Sequence, residues 1–191
     1  MKAWCAGKER WWRIVLLLLL VWVYWDQVSS RWGHDNLLRE ANLIIHEAGH
    51  ELWTWAGDFM RIAGGCLMQC LFPILAGVEL WLVQKDYYAV GLCMGWLAEN
   101  LINVATYAST ARSLDIRGYA CLSGEITNMA DSHDWHQLLL QTGLLAQDQA
   151  IAGFIRGLGF AAMAGCVIFC LWLLLYMEPK KKVSEGEAAG E

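Results

Sequence analysis

The chain has 191 residues, enough for one domain, with 57% hydrophobic residues, only 17% charged residues and a formal net charge of −5. Soluble domains run at roughly 45–50% apolar and about 25% charged. The composition therefore excludes a disordered chain, a collagen-like chain and an ordinary soluble globule, and points to a lipid bilayer as the surrounding medium. The acidic balance argues against nucleic acid as a partner, because phosphate binding needs a basic surface.

The positive charges cluster. Lys2, Lys8, Arg10 and Arg13 precede the first apolar run, Lys180, Lys181 and Lys182 follow the last, and Lys85 is the remaining lysine. Lys and Arg collect on the cytoplasmic side of membrane proteins. Both termini are therefore expected in the cytoplasm, with a bacterial inner membrane as the expected location.

In chain order, residues 11–28 form a first span with aromatic residues at both ends, as interfaces favour. It reads as an uncleaved anchor rather than a signal peptide, since it is Trp-rich and Asp26 interrupts the approach to a cleavage pattern at Val28 and Ser30. Residues 37–57 have a helical pattern but carry Arg39, Glu40, His46, Glu47, His50 and Glu51. A lipid-exposed spanning helix does not tolerate that load, so this helix is expected to dip in from the outer side, covered by protein. Residues 62–83 form a second span containing one acid, Glu79, and one amide, Gln69. Pro73 is expected to kink it, and Glu79 to pair near Lys85.

Residues 87–107 form a third span. Glu99 and Asn103 share a helix face, with Tyr107 one turn on and Asn100 beside the stripe. Such a stripe can bind a substrate backbone, hold a loop, or make the interhelical hydrogen bonds common in membranes. Residues 108–153, which lack Lys, are expected outside as a helical loop, and residues 154–176 form the last span. Both ends on one side require an even number of crossings. The expected fold is therefore an all-α polytopic bundle with about four crossings, a partly embedded motif helix and a helical outer loop. Residues 1–178 form a single membrane-embedded domain, followed by a disordered cytoplasmic tail at 179–191. Of the seven cysteines, Cys66, Cys70, Cys93, Cys166 and Cys170 lie in apolar runs and are expected to pack helices. Cys5 is a palmitoylation candidate.

The chemistry is concentrated in His46-Glu47-Ala48-Gly49-His50. In H-E-x-x-H the two imidazoles share a helix face and can hold one metal ion, while the glutamate can act as general base on an activated water. Gly49 is costly inside a helix, by about 1 kcal/mol relative to Ala. It either leaves room near the metal or lets another helix approach. A catalytic zinc takes three protein ligands and leaves a position for water. The third donor is expected from Asp131-Ser132-His133-Asp134-Trp135-His136, with His133 as ligand. Asp134 is either the alternative ligand or the carboxylate behind an imidazole. His136, on the same face as His133, is a candidate for oxyanion stabilisation, and Asp131 or Ser132 for capping the helix that follows. His34 is a weaker candidate ligand; Glu99 and Asp115 come next.

The stretches NLIIHEAGHELW (42–53), GGCLMQCLFP (64–73), ENLINVATYASTAR (99–112) and SHDWHQLL (132–139) resemble, in that order, a family of small bacterial multi-span membrane proteins with a zinc-peptidase motif. The resemblance extends distantly to site-2-type proteases. It implies a zinc hydrolase of peptide bonds with His46 and His50 as ligands, Glu47 as base, and a peptide or membrane-protein substrate. Site-2-type enzymes take an Asp ligand from a Leu-Asp-Gly element on a later helix. Here only Leu114-Asp115-Ile116-Arg117-Gly118 is similar, so neither the third ligand nor cleavage within the membrane carries over. The alternative is a metal-binding membrane protein without hydrolytic activity, a sensor or scaffold.

Overall fold

The computed structural model describes residues 1–29, 38–114, 130 and 132–177. Among them there are helices and turns and no strand. A one-turn helix α1 (Lys2–Cys5) precedes α2 (Trp11–Ser29). The motif helix α3 (Arg39–Leu52) runs through a 3-10 turn (Thr54–Ala56) into α4 (Asp58–Glu79), and a π turn (Leu80–Gln84) extends α4. Then come α5 (Tyr87–Ser109), α6 (Asp134–Gln141) and, after a second 3-10 turn (Leu145–Gln147), α7 (Asp148–Leu175). His34, Asp115, Asp131, the expected tail at 179–191 and Lys180 to Lys182 lie outside the described residues.

Three helical stretches are long and apolar enough to cross a membrane: Trp11–Ser29, Asp58–Gln84 and Leu145–Leu175. The fourth expected span, α5, is 23 residues long but less apolar for a physical reason. It is the central post of the bundle, packed against α2, α4 and α7, and it buries Tyr88, Glu99, Asn100 and Tyr107 against protein. Glu99 and Asn100 are therefore enclosed by neighbouring helices.

Bundle helices in a bilayer gain little from hydrophobic burial and depend on close packing at small residues and on interhelical hydrogen bonds. Both are visible. Cys170 and Cys166 of α7 fill notches at Gly91 and Gly95 of α5, where an added Cβ would lie 2.5 and 2.9 Å from the sulfurs. That agrees with the packing role expected of these cysteines. Cys5 departs from expectation. It is wholly buried in the cluster that contains Tyr24, Leu174 and Met177, and so is not presented for acylation.

The ends of elements explain two further differences. The last helix begins at Asp148 rather than at 154. Asp148 is 1% exposed, and its Oδ1 accepts a 2.8 Å bond from Arg112 Nε beyond the end of α5, which fixes the first turn of α7. Glu79 does not turn to Lys85; it accepts two 3.2 Å bonds from Gln84 Nε2. Lys85 instead takes the left-handed conformation, φ 55°, that ends the helix. Asp86 Oδ1 then caps α5 by accepting the Tyr88 and Ala89 N–H groups, each at 3.1 Å.

Candidate metal centre

The α3–α4 hairpin is built on glycine. Gly49 of α3 lies against Gly64 of α4 so closely that a Cβ at Gly49 would collide with the Gly64 carbonyl and the Met68 Cβ. Of the two reasons considered for Gly49, helix approach is the one realised. The next residue of α4, Gly65, lies under the two imidazoles. A Cβ there would stand 2.6 Å from both His46 Nε2 and His50 Nε2.

Both rings are held from behind. His46 Nδ1 lies 3.3 Å from Gln69 Oε1, and His50 Nδ1 lies 2.8 Å from the Arg61 carbonyl. A carbonyl oxygen only accepts, so His50 carries a proton on Nδ1 and turns Nε2 into the site. The two Nε2 atoms lie 3.1 and 3.4 Å from Asp134 Oδ2. His46, His50 and Asp134 thus offer three donor atoms within 4.8 Å of one another. Their side chains are 13, 17 and 15% exposed, so the group is largely enclosed but not sealed.

Charge follows this geometry. Burial pushes the Asp134 carboxyl up, but hydrogen bonds and charge from His46 and His50 overcome it and hold the group down at about 2. Burial pushes His50 down, yet the Asp134 hydrogen bond and charge, the Arg61 carbonyl and the Glu47 charge leave it above the usual 6.5. Glu47, partly buried on α3, is therefore close enough to act on the group electrostatically.

The structure brings Asp134, not His133, to the two histidines. His133 is fully buried at the N-cap of α6, where its Nδ1 accepts the His136 N–H at 3.2 Å. An accepting Nδ1 leaves the ring proton on Nε2, which faces Thr110 Oγ1 at 3.1 Å. Both nitrogens are thereby occupied, and no lone pair remains for a metal. Burial also holds His133 down at about 4, keeping it neutral. Its ring stacks on Tyr107 at 4.4 Å. His136 Nδ1 lies 2.8 Å from the Ala111 carbonyl, tying α6 to the end of α5 rather than joining the three donors.

The polar stripe on α5 holds protein. Trp96 Nε1 donates to Asn42 Oδ1 at 2.8 Å, and Asn42 Nδ2 donates to Glu99 Oε2 at 2.7 Å, which pins α3 one turn before His46. Asn100 and Asn103 accept from Gln69 Nε2 at 2.8 and 3.0 Å. Tyr107 Oη accepts the Asp134 N–H at 3.0 Å. One helix face therefore steadies each element that contributes a donor. Sequence reasoning assigned no site role to Gln69, Trp96, Asn42 or Gly65. The available signal was Gln69 itself, a lone amide in an apolar run, since polar groups at membrane depth are expensive.

The donor set fits a metal ion. It comprises two imidazoles with anchored Nδ1 atoms, an ionised carboxylate, and a glycine where any side chain would fill the space. No family model, curated protein or solved structure matches the chain.

Proposed function

We propose that the protein is a membrane-embedded zinc metalloprotease with His46, His50 and Asp134 as its metal ligands and Glu47 as its general base. The observation that carries the reading is the convergence of both H-E-x-x-H Nε2 atoms on the carboxylate of Asp134. Two imidazoles and one carboxylate are a donor set that zinc hydrolases use, with the fourth position left to water. When bound, zinc supplies Lewis acidity, which makes water nucleophilic near neutral pH and polarises a carbonyl.

The remaining work falls to the chain. Glu47 takes the proton from the attacking water and passes it to the amide nitrogen as the C–N bond breaks. Asp134 supplies a fixed negative charge. The α5 stripe keeps α3 and α6 in register, and α4 closes the floor with Gly65. The proposed topology has four crossings, with α5 as the fourth, both termini cytoplasmic, and α3 and α6 on the outer side of a bacterial inner membrane. Lipid and a peptide or membrane-protein substrate are then the partners.

Glu47→Gln tests the reading. An enzyme of this kind keeps its zinc and loses peptide hydrolysis by orders of magnitude. A variant that keeps both zinc and whatever function the wild type shows would favour a metal-binding sensor or scaffold. The topology is tested by a cysteine introduced at exposed Leu144, with native cysteines removed; impermeant reagents should label it in intact spheroplasts.

A further inference from the structure

We propose that Arg13 and Lys8 form a site for the phosphate of an anionic phospholipid, at the end of the bundle where α1, the start of α2 and the close of α7 meet. The proposal rests on the protein lying in a membrane and is independent of the metal reading. The N-terminal segment is folded back against this end. Cys5 is wholly buried with Leu174 and Met177, Lys2 Nζ stands 4.5 Å over the Tyr176 ring, and Trp4 meets Tyr87 edge-on at 5.5 Å. Trp11, Trp12 and Tyr176 are exposed there. Tryptophan and tyrosine gather at the depth of lipid headgroups. The same end is basic. The first 13 residues carry Lys2, Lys8, Arg10 and Arg13 against Glu9 alone, and the Glu9 carboxylate accepts Trp11 Nε1 at 3.0 Å. Asp86, the acid before Tyr87, has Oδ1 engaged by the Tyr88 and Ala89 N–H groups.

Arg13 is only 6% exposed, and a guanidinium withdrawn from water is costly unless acceptors meet its N–H groups. The Glu9 carbonyl accepts from Nη1. Nε is buried without an acceptor among the described residues, and Nη2 makes no hydrogen bond among them. Nε–H and one Nη2–H point the same way and form the fork that grips two oxygens of one phosphate. That fork is the part of Arg13 that nothing in the described chain engages. It is also held still: the guanidinium carbon lies 4.0 Å from the Trp12 ring centroid and 5.9 Å from that of Tyr88, and Tyr88 Oη donates to the Arg13 carbonyl. Lys8 rests on an aromatic face in the same way, with Nζ 4.4 Å over Trp4. Cys5 lies within electrostatic reach of the N-terminal ammonium, Lys8 and Arg13 alike, so these cations converge on one spot. A planar fork beside a point charge suits a phosphodiester, and headgroup depth selects that of a lipid.

The test uses full-length protein in a neutral detergent, stripped of lipid. Dioleoyl phosphatidylglycerol, dioleoyl phosphatidylcholine or inorganic phosphate is added, and bound species are counted by native mass spectrometry. The wild type should hold one phosphatidylglycerol at least about tenfold more tightly than phosphatidylcholine, as charge-assisted bonds imply. Inorganic phosphate in equal amount should not displace it. Arg13→Lys keeps the charge and loses the fork, so affinity should fall about tenfold or more. Arg10, exposed on the same segment, is the control: Arg10→Gln should cost no more than the roughly fivefold of one cation near a charged surface. Lys8→Gln removes the same charge and should cost more than that.

Diffuse attraction to a basic end gives the opposite pattern, with Arg13→Lys at wild-type affinity and Arg10→Gln as damaging as Lys8→Gln. That pattern would overturn the proposal, as would equal retention of the two lipids by the wild type. Displacement of phosphatidylglycerol by inorganic phosphate would overturn the lipid assignment in favour of the free ion. If Arg13→Lys fails to fold, the comparison of Lys8→Gln with Arg10→Gln decides alone, and equal losses there overturn the proposal.

Discussion

Gly65→Ala separates the metal centre from the fold. The new Cβ would stand 2.6 Å from the Nε2 atoms of both His46 and His50, short of an ordinary contact near 3.4 Å by about 0.8 Å. Both rings must retreat, whereas a metal site tolerates deviations of only about 0.2 Å. The retreat also strains the bonds behind them, His46 to Gln69 and His50 to Arg61. Each such bond contributes about 0.5–1.5 kcal/mol. Losing both amounts to about 1–3 kcal/mol, or roughly 5–150-fold in affinity, before any contribution from obstruction of the ion itself. Helix propensity runs the other way, favouring Ala over Gly by about 1 kcal/mol. The expected outcome is a zinc affinity reduced by at least about tenfold, read by competition with a chromophoric chelator. The metal-free protein loses the same bonding and regains only about 1 kcal/mol from propensity, so it should unfold at or slightly below the wild-type temperature. Wild-type zinc affinity in Gly65→Ala would refute the placement of the ion over this glycine.

Three further outcomes are expected. Asp134→Asn should reduce zinc affinity beyond the roughly 10–100-fold of supporting residues, whereas His133→Ala should keep the ion and lower thermal stability by at least the ~1 kcal/mol of a lost cap; the reverse pattern in the chelator assay would restore His133 as the ligand. In metal-free protein, His50 lies above its usual 6.5, so the stability it contributes is full below 6.5 and is lost as pH rises through the raised value. Asp134, held at about 2, contributes stability that is present above 3.8 and lost as pH falls through about 2. Thermal unfolding with chelator present should therefore show this pair's contribution largest between about 4 and 6.5, and Asp134→Asn should flatten it. Zinc must displace the His50 proton, so its affinity should fall by about tenfold per pH unit below the raised value, and a flat titration would contradict the ligand assignment.

Much of the architecture was legible because it depends on local composition. The first apolar run ends one residue beyond its expected limit, at Ser29, and α5 starts at Tyr87 as expected. The H-E-x-x-H helix was legible for the same reason, since i and i+4 share a face whatever surrounds them. The third donor was not. His133 and Asp134 are neighbours in sequence, and only the docking of α6 decides which becomes the cap and which turns to the site. Thr110, at the C-cap of α5, and Tyr107, on its last turn, make that decision by engaging the imidazole and the Asp134 N–H. Gln69 was noted as an amide, but its partners lie 23 and 31 positions away, and no local pattern encodes such pairings. The stripe on α5 was recognised as a stripe; whether it faced substrate, loop or helix depended on packing.

The segment leaving α5 and the one returning at α6 are fastened to the same turn. Tyr107, Thr110 and Ala111 bond respectively to Asp134, His133 and His136, so the chain departs after Leu114 and is recaptured by Ser132 almost where it left. These three bonds hold the two ends together. The two donor-bearing sides of the site, α3 with α4 on one and α6 on the other, therefore share a single helix, α5, as their fastening, with α6 secured at its C-terminal end.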